Sequence, residues 1–192
     1  MQSICVYCGS APGRGETYLN AARDFGMALA QRDVRLVYGG ASIGLMGAVA
    51  DAALAAGGKV IGVMPEALVR KEVAHRGVEL IVTGSMHERK MTMADLADGF
   101  VALPGGIGTF EELFEIWTWA QLGFHRKPCG LLNVAGYYDS LLAFLDHARA
   151  ERLLAQSVRD LLQVEDEAQA LLDRFSAWQA PQVDRWLGRG EV

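Results

Sequence analysis

The chain has 192 residues, 51% of them hydrophobic and 21% charged, with 22 glycines; that length bounds it to one domain with room for a real core. A formal net charge of −5 gives no basic field to gather nucleic acid. No apolar run approaches the ~20 residues that span a bilayer.

Met1 to Cys8 runs straight into a strand-like segment, without the basic stretch and signal-length apolar run of a leader, so a cytoplasmic protein is expected. Ser3 to Cys8 is β-rich and is closed by Gly9-Ser10-Ala11-Pro12-Gly13. Cys5 and Cys8 have C-x-x-C spacing, but residues three apart on a strand face opposite ways. No second Cys or His pair completes a zinc site, so the thiols read as buried and reduced. Tyr18 to Arg32 reads as a helix, with Leu19, Ala22, Phe25 and Leu29 at helical spacing. Arg35 to Tyr38 is the second strand, ending in Gly39-Gly40, and Leu45 to Ala56 an Ala-rich helix stopped by Gly57-Gly58. Lys59 to Met64 is the third strand, cut off by Pro65, and Glu79 to Thr83 the fourth. A helix from Met86 to Ala97 leads to the fifth strand, Gly99 to Leu103. A helix from Phe110 to Gly123, a sixth strand from Pro128 to Val134 and a helix from Tyr137 to Ala150 follow. Leu161 to Glu165 reads as a short last strand before a helix from Glu167 to Trp178. The polar tail from Gln179 to Val192 is expected to be loose.

Short apolar strands alternating with helices predict an α/β fold: a Rossmann-like, doubly wound parallel sheet with helices on both faces. The ligand of such a sheet belongs at the carboxyl ends of the strands. One domain is expected over residues 1–178, with residues 179–192 as a tail.

Three strands end in glycine-rich turns: Cys8-Gly9-Ser10, Tyr38-Gly39-Gly40-Ala41-Ser42, and Leu103-Pro104-Gly105-Gly106-Ile107-Gly108. Tight βα turns need glycine for their own sake. Three at one edge of a sheet also suit a ligand lying across the strand tips, with Gly9, Ser10 and Gly40 among its contacts. The third turn has the strongest signal. A strand, a glycine turn and a helix start present bare backbone N–H groups and a positive helix terminus to an anion. Thr109 and Glu112 follow with capping-box spacing, which leaves Glu112 open to two readings, a helix cap or a catalytic carboxylate. The dinucleotide fingerprint G-x-G-x-x-G is missing after the first strand, and Gly58-Lys59 opens a strand rather than a Walker A helix. The expected site therefore binds phosphate without being a standard NAD or ATP site.

Ser85 and Glu88 repeat the capping spacing, so a helix starts there, with Arg89 and Lys90 in its first turn. Cations oppose the helix dipole at that end and call for an anionic partner. That partner is a structural acidic residue, a substrate phosphate or a catalytic carboxylate on a neighbouring loop. If the fourth and fifth strands are neighbours, the Arg89 and Glu112 helices start near the same edge. His87 beside Arg89 reads more readily as a packing residue than as an acid–base catalyst. The other three histidines, His75, His125 and His147, are scattered without a metal-site pattern. The helix from Phe110 is apolar nearly all round, which suits either a central place in one core or partial burial by a second subunit.

Pro104-Gly105-Gly106-Ile107-Gly108-Thr109-Phe110-Glu111-Glu112 matches PGGxGTxxE, and Met86-His87-Glu88-Arg89-Lys90 matches its upstream partner. With Tyr7-Cys8-Gly9-Ser10, Tyr38 to Gly47 and Trp117 to Gly123, the chain resembles the LOG (Lonely Guy) family to about residue 175. These are cytokinin riboside 5′-monophosphate phosphoribohydrolases, often labelled "possible lysine decarboxylase". The resemblance implies hydrolysis of the N-glycosidic bond of a nucleoside 5′-monophosphate, a cytokinin nucleotide or AMP, to free base and ribose 5-phosphate. Arg89 and Glu112 would be catalytic. Glu79, Arg89, Lys90, Gly105, Gly106, Ile107, Gly108, Thr109, Phe110, Glu111, Glu112 and Thr118 would surround the nucleotide. It further implies a homodimer or larger oligomer that needs no metal or cofactor. Ala41 departs from the family, which usually has a third glycine there; a small change in the pocket is expected, with no loss of activity. No lysine sits in a recognisable pyridoxal-phosphate setting, so the decarboxylase label has no physical support. The rival reading is a non-catalytic nucleotide sensor or carrier on the same scaffold. A phosphate-sugar oxidoreductase is weaker still without the dinucleotide fingerprint.

Overall fold

The computed structural model describes residues 1–69 and 74–181. Its centre is a parallel sheet of seven strands: β1 (Ser3–Tyr7), β2 (Arg35–Tyr38), β3 (Val60–Pro65), β4 (Glu79–Thr83), β5 (Phe100–Ala102), β6 (Cys129–Leu132) and β7 (Leu162–Glu165). The spatial order is β4-β3-β2-β1-β5-β6-β7. The central strands are buried along their whole length, as both faces of the sheet are covered.

On one face α1 (Thr17–Gln31), α2 (Gly44–Ala55) and α8 (Ala168–Ser176) bury Phe25, Leu29, Val49, Leu171 and Phe175 against Ile4, Leu36 and Val101. On the other, α4 (Met86–Leu96), α5 (Ile107–Gln121) and α6 (Asp139–Ala150) bury Met93, Leu113, Ile116 and Leu145 against Cys5, Val37 and Ala102. Two short helices, α3 (Glu66–Val69) and α7 (Gln156–Arg159), were not expected from the sequence; each is a single turn, too short for a periodic signal. Cys5 and Cys8 fall in the two different cores, and all three cysteines are free and buried. The expected tail lies, from residue 182, outside the described residues.

One expectation needs correction, and one condition set by the sequence is not met. The helix carrying Glu112 begins at Ile107, three residues before the expected start, because Gly106 takes up the extended N-cap conformation. The fourth and fifth strands are not neighbours either: β4 is an edge strand, and β3, β2 and β1 stand between it and β5. The connection explains how the two helices still meet. From the tip of β4, α4 returns across the sheet, packing on β4, β3, β2 and β1 before β5 begins. From its first turn the Arg89 side chain bonds the Val63 carbonyl of β3 and reaches Glu112 of α5. Between β1 and β5 the winding reverses direction, the place where such sheets bind ligands.

Candidate active site

At that reversal the loops after β1 and β5 touch. The Gly9 amide donates to the Pro104 carbonyl at 3.1 Å. A Cβ on Gly105 would stand 2.8 Å from the Gly9 nitrogen and 2.1 Å from Thr109 Oγ1, so only glycine fits there. From Gly105 the chain turns into α5. The amides of Ile107, Gly108 and Thr109 open that helix and have no intrahelical acceptor. Gly106, Ile107 and Gly108 face solvent, and Thr109 is buried. The result is an exposed, positively polarised helix start suited to a phosphate.

Glu112 is not a helix cap. The N-cap is Gly106, without a side-chain bond, and Glu112 lies a turn further on. Its Oε1 accepts a 2.6 Å hydrogen bond from Arg89 Nη1, and both side chains are buried. Arg89 is held at its other end by its Nε, which donates to the Val63 carbonyl of β3 at 3.0 Å. The guanidinium also lies over the turn after β2, where a Cβ on Gly39 would come within 2.6 Å of Nη2. The capping at the start of α4 is as expected: Ser85 Oγ accepts from the Glu88 amide at 3.1 Å, and Glu88 Oε2 from the Gly84 amide at 2.7 Å.

Burial pushes the Glu112 carboxyl above the ordinary carboxylate range, and the Arg89 charge and hydrogen bond pull it part of the way back. Burial, and then the Glu112 charge, also push the Cys8 thiol up, so Cys8 stays protonated. Lys90 bridges Glu111 at 2.5 Å and Glu115 at 3.0 Å. Burial opposes its charge, but the hydrogen bonds to those two carboxylates outweigh burial and hold the ammonium above its usual range.

The fold brings together Arg89, Lys90, Glu111, Glu112 and the run from Gly105 to Phe110, with Gly9 and Ser10 beside them. Gly40 sits at the tip of β2 with φ of +83°, a conformation that favours glycine; Ala41 after it is buried and has no such constraint. Two candidates stand apart in the single chain. Glu79 opens β4 at its amino end, four residues and about 13 Å from the carboxyl edge. Thr118 lies near the far end of α5, about 18 Å along the axis from Gly106, and its hydroxyl donates to the Phe114 carbonyl. The sequence reading missed Gly39, the Val63 carbonyl, Glu115, and the Tyr137 and Tyr138 hydroxyls, which reach the carbonyls of Gly105 and Leu103. Gly39 lies within a glycine turn that the sequence marks, and Glu115 carried a usable signal in its spacing of four from Glu111 on one helix face.

Among the described residues no group of three or more His, Cys, Asp or Glu side chains is placed to hold a metal ion, and no helix is long and apolar enough to cross a membrane. Helix α5 buries Leu113, Ile116 and Trp117 on one side and leaves Ile107 and Phe114 exposed on the other.

A family model described as "Possible lysine decarboxylase" matches residues 46–175. The probable cytokinin riboside 5′-monophosphate phosphoribohydrolase LOGL9 of Oryza sativa subsp. japonica is 51% identical over 176 residues, 91% of this chain and 78% of that protein. The cytokinin riboside 5′-monophosphate phosphoribohydrolase of Rhodococcoides fascians is 51% identical over 160 residues, 82% of this chain and 81% of that one. Among solved structures, the molybdenum cofactor carrier protein of Chlamydomonas reinhardtii superposes with a TM-score of 0.69 at 24% identity, over 92% of this chain and 99% of that chain. That last likeness shows the shared fold alone. The signature and the two relatives agree along most of the sequence, and the chain belongs to the family of the cytokinin riboside 5′-monophosphate phosphoribohydrolases, whose signature is described as "possible lysine decarboxylase".

Proposed function

We infer that this protein hydrolyses the N-glycosidic bond of a nucleoside 5′-monophosphate, releasing the base and ribose 5-phosphate. The observation that carries the reading is the buried Arg89–Glu112 pair at 2.6 Å, one helical turn beyond an open glycine loop. The loop amides take the 5′-phosphate, and that binding energy positions the bond to be broken. The ribose then lies beside Glu112. As the C–N bond breaks, its electron pair leaves with the base and positive charge grows on the sugar. The Glu112 carboxylate stabilises that charge and takes a proton from the water that attacks C1′; a proton passes through solvent to the nitrogen of the departing base, and Glu112 returns to its ionised form. Arg89 holds the carboxylate ionised and in place. It does so from a rigid mount, since its Nε is fixed to β3.

The substrate class comes from the relatives' names: a cytokinin riboside monophosphate, with AMP as the simplest member of the same chemistry. The protein acts as a homodimer or a larger assembly in this reading, and the apolar Ile107 and Phe114 left exposed on α5 support it. Incubation of the pure protein with AMP and with N6-isopentenyl-AMP tests the reaction, with free base and ribose 5-phosphate followed by chromatography. Base release from either nucleotide supports the reading; binding of both without release shows a carrier instead. Sedimentation equilibrium measures the assembly, and a monomer at assay concentrations removes the dimer.

A further inference from the structure

A glycine loop binds an anion only if its peptides point N–H inward and C=O outward. Glycine itself does not enforce that choice, because its backbone adopts both peptide orientations at little cost. Something else must fix them, and the fate of each carbonyl identifies it. The Leu103 carbonyl accepts from Tyr138 Oη at 2.6 Å, and the Pro104 carbonyl from the Gly9 amide at 3.1 Å. The Gly105 carbonyl accepts from Tyr137 Oη at 2.5 Å. The Gly106 carbonyl accepts from the Phe110 amide at 3.1 Å, the first bond of α5. Four successive carbonyls are thus occupied, two of them by adjacent tyrosines from a different strand connection.

The fold delivers those tyrosines because β6 lies next to β5, so the turn after β6 runs beside the glycine loop. That turn is sharply made: Ala135 and Gly136 have φ of +50° and +71°, and Asn133 Oδ1 accepts from the Tyr138 amide at 2.7 Å. The rings are also held. Tyr137 packs edge-on against Tyr138 at 4.9 Å and against Tyr18 of α1 at 5.5 Å, and Tyr138 packs against Phe110 at 6.3 Å.

We propose that Tyr137 and Tyr138 are positioning residues for the phosphate subsite: the Tyr137 hydroxyl pins the Gly105 carbonyl outward and so keeps the Gly106 amide of the same peptide turned toward the phosphate, and the Tyr138 hydroxyl fixes the Leu103–Pro104 peptide, which carries no N–H, from which the loop departs. The proposal rests on the reading of the glycine loop as a 5′-phosphate site. The two residues differ in burial. Tyr138 is almost wholly enclosed, whereas Tyr137 is 37% exposed, so Tyr137→Phe removes one donor at a place that water reaches.

The test uses the full chain and its Tyr137→Phe and Tyr138→Phe variants, with folding checked by thermal melting. Dissociation constants for ribose 5-phosphate and for adenosine are measured by calorimetry, and kcat and KM on AMP by base release. Tyr137→Phe is expected to weaken ribose 5-phosphate binding and raise KM about tenfold, with kcat moved less than about threefold and adenosine binding unchanged. Tyr138→Phe shows the same split together with a lower melting temperature, because the Leu103 carbonyl is left unpaired in the core. If Tyr138→Phe does not fold, Tyr137→Phe decides alone. Ribose 5-phosphate affinity within twofold of wild type in the folded variants overturns the proposal, and so does an equal loss of adenosine affinity, which marks general damage. A wild-type protein that binds ribose 5-phosphate in a Tyr137-dependent way but releases no base from AMP supports the brace and removes the hydrolase reading.

Discussion

Glu112→Gln is the substitution that tests the chemistry most directly. It keeps the side-chain shape and an oxygen to accept from Arg89 Nη1, and it removes only the negative charge. The carboxylate is buried, with 9% of its residue surface exposed, so solvent screens it poorly. At an effective dielectric constant of about 20, a unit charge about 4 Å away stabilises a full positive charge by about 4 kcal/mol. An oxocarbenium-like transition state carries most of such a charge. Each 1.36 kcal/mol, by the general rate relation, is about a factor of ten, so the variant is expected to lose roughly a thousandfold in kcat. In the proposed reading the phosphate contacts come from backbone amides that the substitution leaves alone, so the dissociation constant for AMP should move by less than about threefold. Adenine release followed by chromatography gives kcat, and calorimetry gives AMP affinity. A variant turning over within about tenfold of wild type would show that the charge on Glu112 does not stabilise the transition state, and the mechanism argued from it would fall.

The pH dependence follows from the same group. In the proposed mechanism Glu112 works ionised, and its carboxyl titrates above the ordinary value, so kcat should fall as pH drops through that raised pKa. The acid limb of the kcat profile should therefore lie above the ordinary glutamate value of about 4.3 and vanish in the residual activity of Glu112→Gln. Arg89→Ala leaves a buried carboxylate without its cation and is expected to lower stability by about 3–5 kcal/mol, measured by urea unfolding. A loss below about 1 kcal/mol would mean that water already screens the pair. Gly105→Ala drives a Cβ into Thr109 Oγ1 and the Gly9 amide, so AMP binding is expected to fall at least tenfold while the melting temperature moves less than in Arg89→Ala; unchanged affinity would show that the loop has room to shift.

Local patterns carried much of the architecture. Strand-length apolar runs such as Arg35–Tyr38 and helical spacing such as Ala22, Phe25 and Leu29 reflect burial and period, which are properties of neighbouring residues. The glycine loop was legible for a similar reason, since its turn and helix start are formed within a few residues. The start of α5 was misplaced because Thr109 and Glu112 mimic a capping box, and only the extended backbone at Gly106 decides where the helix begins. The Ser85 cap, with the same spacing, forms as read.

By itself the sequence determined the alternation of strands and helices, the glycine loop at the start of α5 and the choice of Arg89 and Glu112 as candidates. Tertiary structure alone decided which strands are neighbours, that α4 returns over three strands to bring Arg89 onto Glu112, and that Tyr137 and Tyr138 reach back to the glycine loop. The physical reason is range. Those bonds join residues 23, 32 and 35 positions apart, and their partners are chosen by how the crossovers pack on the sheet, about which no local periodicity carries information.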